Sequence, residues 1–130
     1  LVREIRASNQ PFRAPVALIS GGECTVTLPP VAQGRGGRCT EYLLSLAVEL
    51  DGMSGVYALA GDTDGIDGTE DNAGAWWATD LIDRAVCNRV SARTGLDRHD
   101  SYGFFEAAGA LIVTGPTRTN VNDYRVILIE

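Results

Sequence analysis

Lysine is absent: all 11 basic residues of this 130-residue chain are arginine. The chain therefore cannot itself form a Schiff base, supply an amine general base or contribute the phosphate-binding lysine of a Walker loop, since a permanently charged guanidinium replaces none of these. Positive charge is also in short supply. Against 17 acidic residues the net charge is −6, which removes any general attraction to phosphate backbones or anionic lipid, so neither nucleic acid nor a membrane is expected as a partner. The three cysteines, Cys24, Cys39 and Cys87, lack C-x-x-C spacing. Neither a disulfide framework nor a cysteine zinc site is expected from them, and a reduced, cytoplasmic setting fits. No run of 18 apolar residues and no charged-then-apolar leader occurs, so no membrane span is expected.

With 45% apolar and 22% charged residues, the composition is that of one soluble globular domain, long enough to bury a core without staples. The opening Leu1-Val2-Arg3-Glu4-Ile5-Arg6 has helical spacing and no initiating methionine. It is expected to be the end of a linking helix cut from a longer protein, with residues 1–14 leading from an N-terminal domain and residues 15–130 forming the domain proper.

The helix itself is predicted over 1–8, ahead of Pro11. Val16 to Ile19 reads as a buried strand over 15–20, Gly21-Gly22 as a turn, and 23–28 as a second strand, together a hairpin. Residues 29–37 hold the prolines and glycines of a loop. Leu43, Leu46, Ala47 and Leu50 line one face of a helix that ends at Asp51-Gly52. Further strands are predicted at 56–60, 75–78, 111–114 and 124–129. Between them, a helix capped by Thr79 turns Ile82, Ala85, Val86 and Val90 inward until Gly95 stops it. A shorter helix, capped by Asp100 or Ser101, buries Phe104, Phe105 and Ala108. Strands and helices interleave, which predicts an α/β class with a mixed β-sheet and flanking helices.

Several clusters could carry chemistry. Gly34-Arg35-Gly36-Gly37-Arg38 opens a helix, where backbone N–H groups and two guanidinium forks suit an anion; the same letters also make a glycine turn with solvated arginines. Asp62, Asp64, Asp67 and Asp71 crowd a glycine-rich loop that follows a strand. They could hold Mg²⁺ through oxygen or orient a hydroxyl, or form an acidic surface turn, while Ile66 stands where an EF-hand needs a polar ligand. His99 reads as a surface or capping histidine. Of Trp76 and Trp77, strand geometry lets one at most reach a ligand, so core packing is the default. Thr117, Thr119 and Asn120 offer polar recognition or simply build a loop.

Taken in order, Ser20-Gly21-Gly22-Glu23 with Thr25-Val26, Gly34 to Arg38, Gly61 to Gly68, Asp100 to Phe105, and Thr114 to Asp123 resemble the MOFRL domain. This is the carboxyl-terminal domain of the glycerate 2-kinase family, often labelled hydroxypyruvate reductase. The resemblance covers nearly all the chain from Pro15 onward. It implies a two-domain enzyme whose larger N-terminal α/β domain faces this one across a cleft for glycerate and ATP, giving 2-phosphoglycerate, with Mg²⁺ accompanying the nucleotide. It also implies that Arg38 works beside a lysine of that other domain.

On this footing Arg38, Asp62 and Asp64 are the catalytic candidates, and Asp64 and Asp67 the metal candidates. Arg35, Gly36, Gly37, Thr117, Thr119 and Asn120 would bind substrate or phosphate. The chain departs from the family at Cys39-Thr40, where Asn-Gln is usual, at Thr69 to Asn72, where Pro-Thr-Asp-Ala is usual, and at His99, where asparagine is common. Two other readings share the small-acid partner: an NAD(P)H-dependent hydroxypyruvate reductase, and a diverged hydroxy-acid-binding domain without turnover. The domain alone is expected to be inactive, and a homodimer is an assembly the sequence leaves open.

Overall fold

The computed structural model describes residues 1–27 and 34–130. In chain order the elements are α1 (Val2–Ser8), β1 (Val16–Gly22), α2 (Arg38–Leu50), β2 (Val56–Asp62), β3 (Gly74–Ala78), α3 (Leu81–Cys87), α4 (Ala92–Asp97), α5 (Ser101–Ala108), β4 (Leu111–Ile112) and β5 (Asp123–Ile129). The strands form one sheet in the order β1-β5-β2-β3-β4. The interleaved α/β architecture is the one the sequence predicts. The sheet, however, is antiparallel at every pairing described rather than mixed. β1 and β2 do run the same way, on either side of α2, but β5 lies between them and pairs antiparallel with both.

One face of the sheet carries the core. Val56, Ala58 and Ala60 of β2, Ala75 and Trp77 of β3 and Ile129 of β5 alternate inward, and all are buried. Against them pack Leu43, Leu44, Ala47 and Leu50 of α2 and Phe104, Phe105 and Ala108 of α5. Small alanines on the strands opposite large leucines and phenylalanines on the helices let the two layers interdigitate. Val2 and Ile5 of α1 enter the same core. No helix among the described residues is long and apolar enough to cross a membrane.

Several predicted boundaries move. There is no hairpin at Gly21-Gly22: β1 runs through both glycines, which face Tyr124 and Asp123 of β5. Residues 23–27 form no strand, and the rest of the predicted strand and loop, 28–33, lies outside the described residues. The helix predicted from Thr79 to Gly95 is two helices. Thr79 does not cap it; its Oγ1 donates to the Met53 carbonyl at 2.8 Å. The chain leaves helical geometry at Arg89, with φ at +62°, and Ser91 starts α4 by accepting from the Thr94 N–H. Gly95 sits inside α4, where a Cβ would lie 3.3 Å from a Leu44 methyl, so it permits close helix packing rather than stopping a helix. Leu81 and Ala85 take the inward positions of α3, while Val86, predicted to face the core, is 60% exposed. β4 keeps two of its four predicted residues. Trp77 is buried and Trp76 half-buried beneath Arg84, as core packing requires.

Candidate active site

Helix α2 begins at the same end of the sheet as the carboxyl terminus of β2. Its free N–H groups would attract an anion, and the protein supplies that anion itself. Asp67, fully buried, accepts from the Cys39 N–H through Oδ1 at 3.0 Å and from the Thr40 N–H through Oδ2 at 2.9 Å. The Thr40 hydroxyl donates to the same Oδ2 at 2.9 Å, and Ser101 Oγ donates in turn to Thr40 Oγ1 at 2.9 Å. Gly37 must be glycine here, since a Cβ would lie 2.2 Å from Asp67 Oδ1. At Gly36, with φ at +146°, a Cβ would lie 2.2 Å from Ser101 Oγ. Gly37, expected as part of a phosphate cradle, thus closes on the Asp67 side chain, and Gly36 closes on Ser101.

Arg38, the first residue of α2, turns back over the strand ends. Its Nε donates to Asp123 at 2.8 Å, Nη2 to Asp62 at 2.8 Å and Nη1 to Glu23 at 2.9 Å. Asp62 and Asp123 are cross-strand partners in the β2–β5 register, both buried. Two like charges placed directly opposite repel, and the guanidinium between them removes the conflict. The hydrogen bond to Asp123 holds the Arg38 charge more firmly than usual. Burial pushes Asp62 above the ordinary carboxylate range, the Asp64 charge adds to the rise, and Arg38 works against it.

The other candidates surround this pair. Asp64, half-buried, donates its N–H to Asp62 Oδ1 at 3.1 Å and accepts from the Ile66 N–H at 2.8 Å. Thr117, Thr119 and Asn120 are exposed and stitch their own segment to the aspartate loop. Thr117 N–H donates to the Asp64 carbonyl at 3.0 Å, and Thr119 N–H to Thr117 Oγ1 at 3.3 Å. Asn120 accepts from the Asn122 N–H at 3.0 Å. Arg35 points elsewhere: it bonds Glu106 at 3.1 Å and lies 4.5 Å from the centre of the Tyr102 ring. Between the arginine loop and Gly68 to Glu70 runs a groove of about 350 Å³, lined by Arg35, Gly37, Arg38, Glu41, Gly68 and His99.

Oxygen donors suit Mg²⁺ in kind, but these carboxylates are otherwise engaged. Asp67, predicted as a metal ligand, has both oxygens on α2, and Asp62 has its two on Asp64 and Arg38. Among the described residues no group of three or more His, Cys, Asp or Glu side chains is arranged to hold a metal ion. The residues do not fit a Mg²⁺ ion held by Asp64 and Asp67.

Glu23 and Asp123, which hold Arg38, stand inside the motifs that carry the resemblance but are not among the site candidates read from sequence; of the residues that brace Asp67, Thr40 is read only as a departure from the family and Ser101 only as a possible helix cap. A signal for the first was present: Asp62 continues the inward alternation of Val56, Ala58 and Ala60, and Asp123 that of Ile129 and Ile127. His99 is not a free surface residue, since its Nδ1 meets Glu41 Oε1 at 2.7 Å.

Relatives agree with this architecture. A protein of Agrobacterium vitis, provisionally named hydroxypyruvate reductase, is 56% identical over 124 residues, covering 95% of this chain and 28% of its own length. D-glycerate 2-kinase of Thermotoga maritima is 37% identical over 134 residues, 99% of this chain and 30% of its own. The crystal structure of glycerate kinase from that organism matches with a TM-score of 0.91, covering 99% of this chain and 31% of the other. The chain therefore spans under a third of the length of these relatives. The model of the MOFRL family matches residues 16–123, a span that holds Arg38, its three carboxylate partners and Asp67, and the chain belongs to the MOFRL family.

Proposed function

We propose that this chain is the MOFRL part of a glycerate 2-kinase, in which ATP phosphorylates glycerate to 2-phosphoglycerate in a cleft between residues 15–130 and a further N-terminal domain. The observation that carries the reading is the Arg38 clamp, set beside the groove in a chain 37% identical to the Thermotoga kinase. A guanidinium has five N–H donors, and three of Arg38's are taken by carboxylates. One hydrogen on each terminal nitrogen is left for the carboxylate of glycerate or for the phosphoryl group in transit. Phosphoryl transfer depends on positioning and on cations that meet charge as it spreads over the equatorial oxygens. A guanidinium already fixed on three sides needs no reorganisation to do this.

Asp64, half-buried beside the clamp, would orient the reacting hydroxyl, and Thr117, Thr119 and Asn120 would line the cleft. Mg²⁺ would arrive with the nucleotide. Because half the cleft comes from the other domain, the isolated chain is expected to be inactive, and the full-length protein to work in the cytoplasm.

The reductase reading is supported by the provisional name of two 56% identical Agrobacterium proteins, against the lack of a dinucleotide fingerprint in this sequence. A single experiment separates them: full-length protein with D-glycerate, ATP and Mg²⁺ in a coupled ADP-release assay, beside hydroxypyruvate with NAD(P)H. Glycerate-dependent ADP release supports the kinase. Nicotinamide oxidation without it overturns the kinase in favour of the reductase, and silence in both favours a binding domain.

A further inference from the structure

One buried cation lies behind the Arg38 clamp with no acid paired to it among the described residues. Arg125 of β5 is 9% exposed, and its guanidinium carbon stands 5.1 Å from the centre of the Tyr42 ring of α2. Nη2 donates to the Gly21 carbonyl at 3.0 Å, and the buried Nε has no partner among the described residues. Among the described residues no carboxylate forms an ion pair with Arg125 within 4.0 Å, and residues 28–33 contain no acid. Its remaining nitrogen, Nη1, donates to Cys24 Sγ at 2.9 Å, and Cys24 is exposed.

A desolvated guanidinium without a countercharge is costly, and among its hydrogen-bond partners this exposed sulfur is the one that can react with a small molecule from solvent. Reactive cysteines sit in such settings, accessible and beside a fixed cation. The chain's other thiols serve as controls. Cys39 is buried, and burial pushes its thiol well up. Cys87 is exposed on α3, with no hydrogen bond to an arginine side chain among the described residues.

We propose that Cys24 is a modification site, a surface thiol paired with the buried Arg125 guanidinium that exchanges with small disulfides ahead of Cys87 and Cys39. In the exchange, Cys24 gives its proton to solvent and its sulfur attacks one sulfur of the disulfide. The old S–S bond breaks, a mixed disulfide forms on Cys24, and the second sulfur leaves as a thiolate. The adduct stands next to Glu23, whose carboxylate holds Arg38, so the modification reaches the clamp through one peptide unit.

The test is exposure of the full-length protein to oxidised glutathione near neutral pH, with the mixed disulfide at each cysteine followed by peptide mass spectrometry. Cys24 should react about tenfold or more faster than Cys87, and in urea the two should react alike. Equal rates in the native protein overturn the proposal, and so does an advantage that persists in urea. Arg125→Gln should bring Cys24 to the rate of Cys87; a folded Arg125→Gln protein that keeps the full advantage also overturns it. Should that variant not fold, the native and urea rates of the unsubstituted protein decide. None of these readouts depends on the kinase reading.

Discussion

At the start of α2 the polar side chains are buried and bonded to one another, whereas in the segment after β4 they are exposed and bonded to nearby backbone. Asp67, Thr40 and Ser101 are each 0% exposed and satisfy the helix start between them. Thr117, Thr119 and Asn120 are exposed; they bond the backbone of their own loop and, through Thr117, that of the aspartate loop. In a closed network each member is required by the rest, because removing one leaves buried donors with no acceptor. In the open loop water replaces whatever is lost. The first region therefore holds the fold, and the second is free to be altered for a ligand.

The sharpest way to break this contrast is Asp67→Ala, which strands two helix N–H groups and a hydroxyl and should cost about 4 kcal/mol in urea unfolding. Asp67→Asn keeps the shape but turns one acceptor into a donor, so about 2 kcal/mol is expected. Arg38→Met comes next, at about 2–3 kcal/mol near neutral pH, since it leaves Asp62 and Asp123 facing each other without a cation. Its loss should vary with pH in a definite sense. Burial already holds Asp62 above the ordinary carboxylate range, so its contribution to stability is greatest at acid pH and is lost as pH rises through its raised folded value. Removing Arg38 lifts that value further. The gap between the variant and the unsubstituted protein should be small in acid and widen as pH rises through the carboxylate range; a gap that is constant with pH contradicts the clamp. At the small end, Thr117→Ala and Asn120→Ala should shift stability by no more than about 0.5 kcal/mol, while raising the KM for glycerate if the loop lines the cleft.

Patterns that lie within one element were legible in the sequence: the stripe of α2, the alternation of β2, the Asp100 cap and the buried phenylalanines of α5. What failed depended on partners far along the chain. Gly21-Gly22 reads as a turn until β5 is found alongside it, and the helix after Thr79 reads as continuous until Arg89 is seen in left-handed geometry. The site shows the same division. Arg38 and Asp62 stood out from motif and spacing, but Asp67 looked like a metal ligand because no short-range signal shows that a loop carboxylate will fold back onto a helix start. Gly36 and Gly37 looked like a cradle for phosphate for the same reason: their closeness to Ser101 and Asp67 is a tertiary fact.

The most direct test of the account is Arg38→Lys in the full-length protein, measured as kcat for glycerate-dependent ADP release beside its melting temperature. An ammonium cannot reproduce three fixed bonds and still offer two donors to an anion. The account predicts a kcat lower by about 100-fold or more together with a lower melting temperature. A lysine variant that turns over and melts like the unsubstituted protein would contradict the clamp as both anchor and anion site.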